Sequence, residues 1–405
     1  MADAEAPGPR ERLARVRPGA TVLVLLAALA ALSSFATNII LPAFPAIGSA
    51  IGVTTLELGV TLSSFFVAFA LGQLVVGPLS DRFGRRPVVL GGLLIFFAGS
   101  VLAASASGIG MLVAARIVQA IGVCAASVLS RAIARDLFEG QDLARALSFT
   151  TVATAAASGF SPLLGMAIDG LLGWRAMFLL VGAAGLGLAI AYRLLVSETL
   201  RPGDRAPISV AGVASDYAAL IADLRFLAPA LTVSLIIGGL FAFFAAAPAV
   251  LIDGFRIGAF GLSVFFAATV VVVFSGGLLA PWFARRLGQA RATSRGALIA
   301  FTGSALVLAS VAAGLPLIWF TLALTVFLFG MGLANPLGTA LALQPFGDRA
   351  GIASALLGFL QMSCAALATT AATYLPLDPA ASIALVLTVA TAIALLIFRR
   401  LASPA

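Results

Sequence analysis

Residues 72 to 92 read GQLVVGPLSDRFGRRPVVLGG, in which Asp81, Arg82, Arg85 and Arg86 crowd into a few positions between two apolar runs. Charge packed this tightly between such runs is too short to be a domain. It marks a turn where the chain leaves an apolar medium and re-enters it. The run before it, 57 to 78, and the run after it, 87 to 106, each supply the ~20 apolar residues that a bilayer core about 30 Å thick demands of a helix. Working outward, similar runs occupy 20 to 41, 110 to 132, 146 to 172, 176 to 196, 229 to 252, 260 to 283, 296 to 314, 316 to 343, 351 to 375 and 381 to 398. A bilayer offers backbone groups no partners, and none of these runs alternates with a period of two, so they are expected to be helices. The fold class is therefore an all-α membrane protein with twelve transmembrane helices. Over 405 residues, 61% are hydrophobic and 10% charged, a composition no soluble domain carries.

The net charge of +8 comes from 24 basic residues, all of them arginine. Basic proteins often bind nucleic acid, but these arginines are distributed by topology. With the N-terminus placed inside, Arg10, Arg12, Arg15 and Arg17 precede the first helix, the even-numbered junctions hold most of the rest, and Arg399 and Arg400 close the chain. The opposite side has Arg175 and Arg256. The positive-inside rule thus puts both termini in the cytoplasm and requires an even number of helices. Nucleic acid is not an expected partner, because its recognition needs the charges on one soluble patch. The expected partners are the lipid bilayer and a small-molecule substrate, with the chain working as a monomer in a bacterial inner membrane. The first helix is longer than a signal-peptide core and is read as retained.

Enzymatic chemistry has little to stand on. The chain has no histidine and no lysine, so a Ser-His pair, a Ser-Lys pair or a His-ligated zinc cannot be assembled. Cys124 and Cys364 fall inside helices 4 and 11, where neither a disulfide framework nor a metal pair is expected. No catalytic residue, metal or cofactor is assigned; a proton gradient is the one energy source considered.

One long polar stretch, 197 to 228, interrupts the apolar runs, and Pro202, Gly203 and Pro207 break its start. It divides the chain into a tail 1–19, a six-helix bundle 20–196, the linker, a second six-helix bundle 229–400 and a tail 401–405. The later part of the linker reads as an amphipathic helix lying on the inner membrane surface. Six helices plus six point to an internal repeat, although helix 4 and helix 10 share small residues and little else.

Polar stripes distinguish some helices from their neighbours. Helix 4 carries Arg116, Gln119, Ser127 and Ser130 within about 80° of one another at ~100° per residue. Helix 1 carries Ser34, Thr37 and Asn38, and helix 11 carries Ser354, Gly358, Gln361 and Thr369. In lipid a stripe of this kind must face protein or water. Helices 1, 4 and 11 are expected to border a polar interior, either a wet path or a wall of interhelical hydrogen bonds. Helices 6 and 12 are almost free of polar side chains and are expected to face lipid. An arginine at membrane depth costs at least ~2.5 to 3.5 kcal/mol unless partners or water meet it. Snorkelling to the outer edge, roughly 9 Å from Arg116, is the alternative.

The spacing of Gly77, Asp81, Arg82, Gly84, Arg85 and Arg86 resembles the signature of the major facilitator superfamily between its second and third helices. RIVQAIGVCAASVLSRAIARDLF in helix 4, with Arg116 and Gln119, resembles a second signature. SGFSPLLGMAIDGLLG in helix 5 partly resembles the antiporter signature through Pro162 and Gly165, with Ser161 and Met166 where that pattern prefers glycine; a plain proline kink explains these residues as well. GMGLANPLGTALA, AGIASALLGFLQM, LPAFPAI and SRAIARDLF are similar to the bicyclomycin-resistance (Bcr/CflA) branch of drug:proton antiporters. The resemblance implies a major facilitator fold and an exporter of small amphipathic compounds that works by alternating access. It also implies that Asp81 latches the halves by meeting the start of helix 11 near Gly351. Gly77 is read as permitting close helix approach.

In that branch the residue four before the proline of the Leu-Pro that ends helix 1 is usually aspartate; here it is Asn38, roughly 6 Å below the outer edge and close in depth to Arg116. An amide cannot titrate. Two expectations follow: a net positive cavity that favours neutral or anionic substrates, and no proton coupling through helix 1, leaving Asp81 or Glu57 as peripheral acids. Expected substrate contacts are Asn38, Arg116, Gln119, Phe35, Asn335 and Gln361. The competing readings are a facilitator or importer of a metabolite anion, and a non-transporting membrane receptor, for which a latch at Asp81 would have little use.

Overall fold

The computed structural model describes residues 19–200 and 210–402. Most of the N-terminal tail, the proline-broken start of the linker and the last residues lie outside the described residues. Twelve helices among those described are long and apolar enough to cross a membrane. They are α1 (Ala20–Asn38), α2 (Gly59–Phe83), α3 (Arg85–Ala104), α4 (Ile109–Leu137), α5 (Gly140–Leu172) and α6 (Trp174–Leu195). After the linker come α7 (Leu224–Ala247), α8 (Ala259–Leu287), α9 (Gln289–Ala312), α10 (Leu317–Leu343), α11 (Ala350–Tyr374) and α12 (Pro379–Ile397).

The helices match the apolar runs, with systematic differences at the ends. α2, α4, α5 and α8 run about a turn further than the apolar runs on the arginine-rich side, because charge ends a run of apolar residues without ending the hydrogen-bond ladder. The first span also continues past Asn38. Pro42 lacks an N–H, so the chain tightens into a 3₁₀ turn at Leu41–Ala43 and resumes as a short helix, Phe44–Ile51, closed by Gly52 at φ 75°. Pro248 similarly turns the end of α7 into a π-helical stretch, Pro248–Gly254.

Within each half, glycines set the helix spacing, since lipid provides no hydrophobic drive for helices to associate. α3 meets α4 where Gly92 and Gly122 face each other; a Cβ on Gly122 would stand 2.3 Å from the Phe96 backbone nitrogen. α9 meets α10 in the same way at Gly296 and Gly330, where a Cβ on Gly330 would stand 2.3 Å from the Ala300 nitrogen. Gly84 and Gly288 make the one-residue corners before α3 and α9, with φ of 97° and 80° that side chains rarely adopt. Gly84, Gly92, Gly99 and Ser100 recur at one constant offset as Gly288, Gly296, Gly303 and Ser304. The internal repeat is therefore written in the glycines of α3 and α9 rather than in the α4 and α10 strings.

The halves meet along two seams, α2 against α11 and α5 against α8. Gly59 abuts Thr373 and Gly358 abuts Gln73 in the first seam, and Gly159 abuts Val270 in the second. The linker contains a helix, Val210–Ala222, as the sequence implies, and one side of it packs against protein. Leu220 is buried with Phe226, Leu356 and Leu357, and Tyr217 donates to the Leu74 carbonyl of α2 at 3.3 Å. Its apolar side finds protein to cover before it finds lipid. α12, expected to face lipid, adds hydroxyls to the interior as well: Thr391 and Ser304 share a hydrogen bond of 2.7 Å.

Candidate functional site

A cavity of about 750 Å³ lies between the halves. Its inner wall is aromatic, from Phe65, Phe66 and Phe69 of α2 and Phe241 of α7. Polar groups are interspersed: Ser33, Ser34 and Thr37 of α1, Gln73 of α2, Ser127 of α4, and Ser354 and Gln361 of α11. Its other end reaches Asp81, Arg85, Arg131, Arg135 and Asp136 at the arginine-rich ends of α2, α3 and α4. Three cations against two carboxylates leave this mouth with a positive balance.

The opposite end is sealed between the halves. Phe66 and Phe241 pack with ring centroids 4.9 Å apart. Ser263 of α8 donates to the Pro162 carbonyl of α5 at 3.3 Å, and Thr55 donates a short hydrogen bond to the Asp253 carboxylate across the two halves. Glu57, an expected peripheral acid, caps the adjoining turn by accepting from the Thr54 N–H at 2.7 Å and from its hydroxyl at 2.8 Å. Those bonds hold its carboxyl below the usual range.

The deep polar cluster sits behind the wall of the cavity rather than on it. Arg116 is 0% exposed. Burial this complete excludes the snorkelling alternative. Its Nη1 donates to the Ala36 carbonyl of α1 at 3.2 Å and to Gln119 Oε1 at 2.9 Å, and its guanidinium carbon lies 4.4 Å from the centroid of the Phe65 ring. Gln119 in turn donates from Nε2 to Ser100 of α3 at 2.8 Å. Hydrogen bonds to a charged group contribute about 1.5–3 kcal/mol each, and a desolvated cation–π contact ~2, so these partners together offset the cost of the buried charge. Phe65 thus has two sides, one lining the cavity and one covering the arginine.

The expected contact residues divide accordingly. Gln361 lines the cavity, together with most of the α11 stripe. Asn38 is buried off the cavity wall, with Nδ2 donating to the Ser34 carbonyl at 3.0 Å and Oδ1 unpartnered. Arg116 and Gln119 are also off the wall, a correction with a steric cause: Phe65 stands between the guanidinium and the open space. Phe35 packs half-buried against the core, and Asn335 accepts from Thr339 at 3.5 Å away from the lining.

The loop residues differ from expectation in two places. A Cβ on Gly77 would meet nothing within 4 Å, so Gly77 faces the cavity and permits no close helix contact in this state; the near approach on α2 belongs to Gln73 and Gly358. Asp81 pairs with Arg85 at 2.6 Å, and Arg85 reaches Asp136 at 3.4 Å. Gly351 lies on the cavity lining with Asp81, also with open space at its Cβ. Arg82 stays exposed over Phe83, whereas Arg86 donates to the Arg193 carbonyl at 2.7 Å. α5 runs unbroken through Pro162, and Gly165 serves packing, since a Cβ there would collide with the Ile39 carbonyl.

The sequence reading missed Glu198. Its carboxylate accepts from the backbone N–H of Arg85 at 2.8 Å and of Arg86 at 3.1 Å, neutralising the N-terminus of α3. The signal was present as an acid just past α6 beside an arginine-rich turn, but sequence spacing cannot show which helix end it meets.

A twelve-helix bundle built from two glycine-spaced halves around one central cavity is the architecture of a membrane transporter. The profile of the Major Facilitator Superfamily matches residues 26–369. The chain belongs to that superfamily. It is 31% identical to the uncharacterized MFS-type transporter YdgK of Bacillus subtilis (strain 168), over 88% of this chain and 87% of the relative. It is 30% identical to multidrug resistance protein D of Escherichia coli (strain K12), over 91% and 92% of the two chains. It is 28% identical to the bicyclomycin resistance protein homolog of Haemophilus influenzae, over 89% and 90%. Among solved structures, the crystal structure of a D-xylose-proton symporter superposes with a TM-score of 0.76 at 17% identity, covering 94% of this chain and 97% of the other, a likeness of fold alone.

Proposed function

We propose that the protein exports small amphipathic compounds across a bacterial inner membrane by alternating access, with the arginine-rich face and both termini in the cytoplasm. The observation that carries this reading is the central cavity, aromatic within, reaching the arginine-rich face and closed by contacts between the halves at the other. In this scheme the structure is the inward-facing state. Rocking the halves would break the Thr55–Asp253 and Phe66–Phe241 contacts and bring Gly77 and Gly351, which now border open space, toward each other. The relatives named for multidrug and bicyclomycin resistance support export of drug-like compounds.

Among the described residues no carboxylate is buried, so proton exchange in this scheme falls to the acids at the cavity mouth, Asp81 and Asp136, both of which reach Arg85. The protein is read as carrying out no covalent chemistry. The test is accumulation of a compound panel in cells with and without the protein at two external pH values. Lower accumulation with the protein, deepening as external pH falls, is the expected outcome. A difference insensitive to pH makes it a facilitator, higher accumulation makes it an importer, and no difference for any compound removes the transporter reading.

A further inference from the structure

Arg116 is held by one end. Nη1 carries both of its hydrogen bonds, while Nε and Nη2 are buried and without a partner. Those two nitrogens lie on the same edge of the guanidinium, where their N–H bonds run parallel. That edge is the fork that takes the two oxygens of a carboxylate. The protein supplies no acid to it: among the described residues no Asp or Glu is buried, and none of the ion pairs includes Arg116. Asn38, two residues beyond the carbonyl that anchors Arg116, brings an amide, and its Oδ1 is unpartnered too. A buried polar atom left unsatisfied costs about 1–3 kcal/mol, so a ligand group that met these three would be favoured. Phe65, whose ring lies over the guanidinium, also lines the cavity.

We propose that the free edge of Arg116 is a subsite for the carboxylate of an apolar, aromatic monoacid, reached from the cavity when the Phe65 ring turns aside. This rests on the reading of the cavity as a substrate site and narrows it to a chemical class. The acid's ring would lie among Phe66, Phe69 and Phe241, and its two oxygens would accept from Nε and Nη2. A carboxylate matches the fork better than chloride, which is a single centre with no second oxygen for the second N–H.

The test uses the full chain in nanodiscs and an isosteric pair of probes, 2-naphthoate and 2-naphthamide, titrated by calorimetry in 10 mM and 200 mM sodium chloride. The acid is expected to bind at least about ten-fold tighter than the amide, as a bidentate charged pair should. Raising chloride should weaken the acid by no more than about three-fold, because a buried pair is poorly screened. Arg116→Gln should bring acid and amide within about two-fold of each other. Asn38→Asp, which puts a carboxylate two residues beyond the carbonyl that anchors Arg116, should remove the acid's advantage; it decides the matter if Arg116→Gln does not fold. Equal binding of the two probes to the unaltered protein, a preference that survives Asn38→Asp, or loss of the acid's advantage in chloride would each overturn the assignment, the last in favour of an inorganic-anion site. Because the readout is binding, failure of the cellular accumulation assay would count against the exporter reading and leave this comparison standing.

Discussion

The two halves share a frame and differ in what they bury. Gly99 fits against the backbone of Gln119 in the first half, and Gly303 fits against the backbone of Phe327 in the second. In the register set by Gly122 and Gly330, Arg116 and Gln119 of α4 correspond to Leu324 and Phe327 of α10, all four buried. Ser100, freed by that exchange to accept from Gln119, has its counterpart in Ser304, which turns to Thr391 of α12 instead. Among the described residues every buried amide and the buried guanidinium are in the first half; the second half buries only hydroxyls, which bond largely to their own helices. One half is thus built to hold a charge, the other to be a rigid apolar partner.

If the glycine seams are truly equivalent, damaging them should cost both halves alike, and this is the largest effect expected. Gly122→Ala and Gly330→Ala should each destabilise the detergent-solubilised protein by about 3 kcal/mol, since each Cβ meets backbone that has nowhere to go. Thermal unfolding of the two variants checks this; tolerance of one and not the other would break the symmetry. The buried polar groups should behave oppositely. Arg116→Gln is expected to lower transport by about ten-fold or more, equivalent to ~1.4 kcal/mol, while Ser304→Ala changes it less than two-fold. Comparable losses in efflux assays would show that charge is not what separates the halves.

A smaller effect is expected where the halves touch. Thr55→Val removes the hydrogen bond to Asp253 and should shift the balance toward the state open on that face by about 1–2 kcal/mol. Distances between spin labels across the seal would report the shift, and unchanged distributions would make the contact incidental. The smallest concerns the entry to α7, where the Asp223 side chain caps by accepting from the Arg225 N–H at 2.8 Å. Asp223→Ala should cost about 1 kcal/mol. The bonds from Arg225 hold the Asp223 carboxyl below its ordinary range. Its stabilisation is accordingly complete above the unfolded-state value and is lost as pH falls through the lower folded-state value. Unfolding measured at neutral and strongly acidic pH should show the variant's deficit shrinking in acid.

Much of this architecture is legible without coordinates, and the reason is physical. A bilayer accepts only helices of a narrow range of lengths, so apolar runs report spans directly, and arginines report ends. What escapes is lateral. Helical periodicity places Arg116 and Gln119 on one face of α4, but whether that face meets water or a phenylalanine depends on α2, whose Phe65 carries no sequence mark of its role. Asn38 likewise looks like a cavity residue on a helical wheel, yet it lies off the wall and bonds back to its own helix, while Thr37 beside it in sequence does line the cavity. The repeat is faint between α4 and α10, the helices where the halves diverge in chemistry. It survives in α3 and α9, where backbone contact leaves glycine no substitute.

The single-residue corners at Gly84, Gly173 and Gly288 have a mechanical consequence. Each joins two long helices with no slack, so a tilt imposed on one arm is handed to the next without being absorbed on the way. A reporter peptide or fluorescent insert at any of these corners would stall the machine.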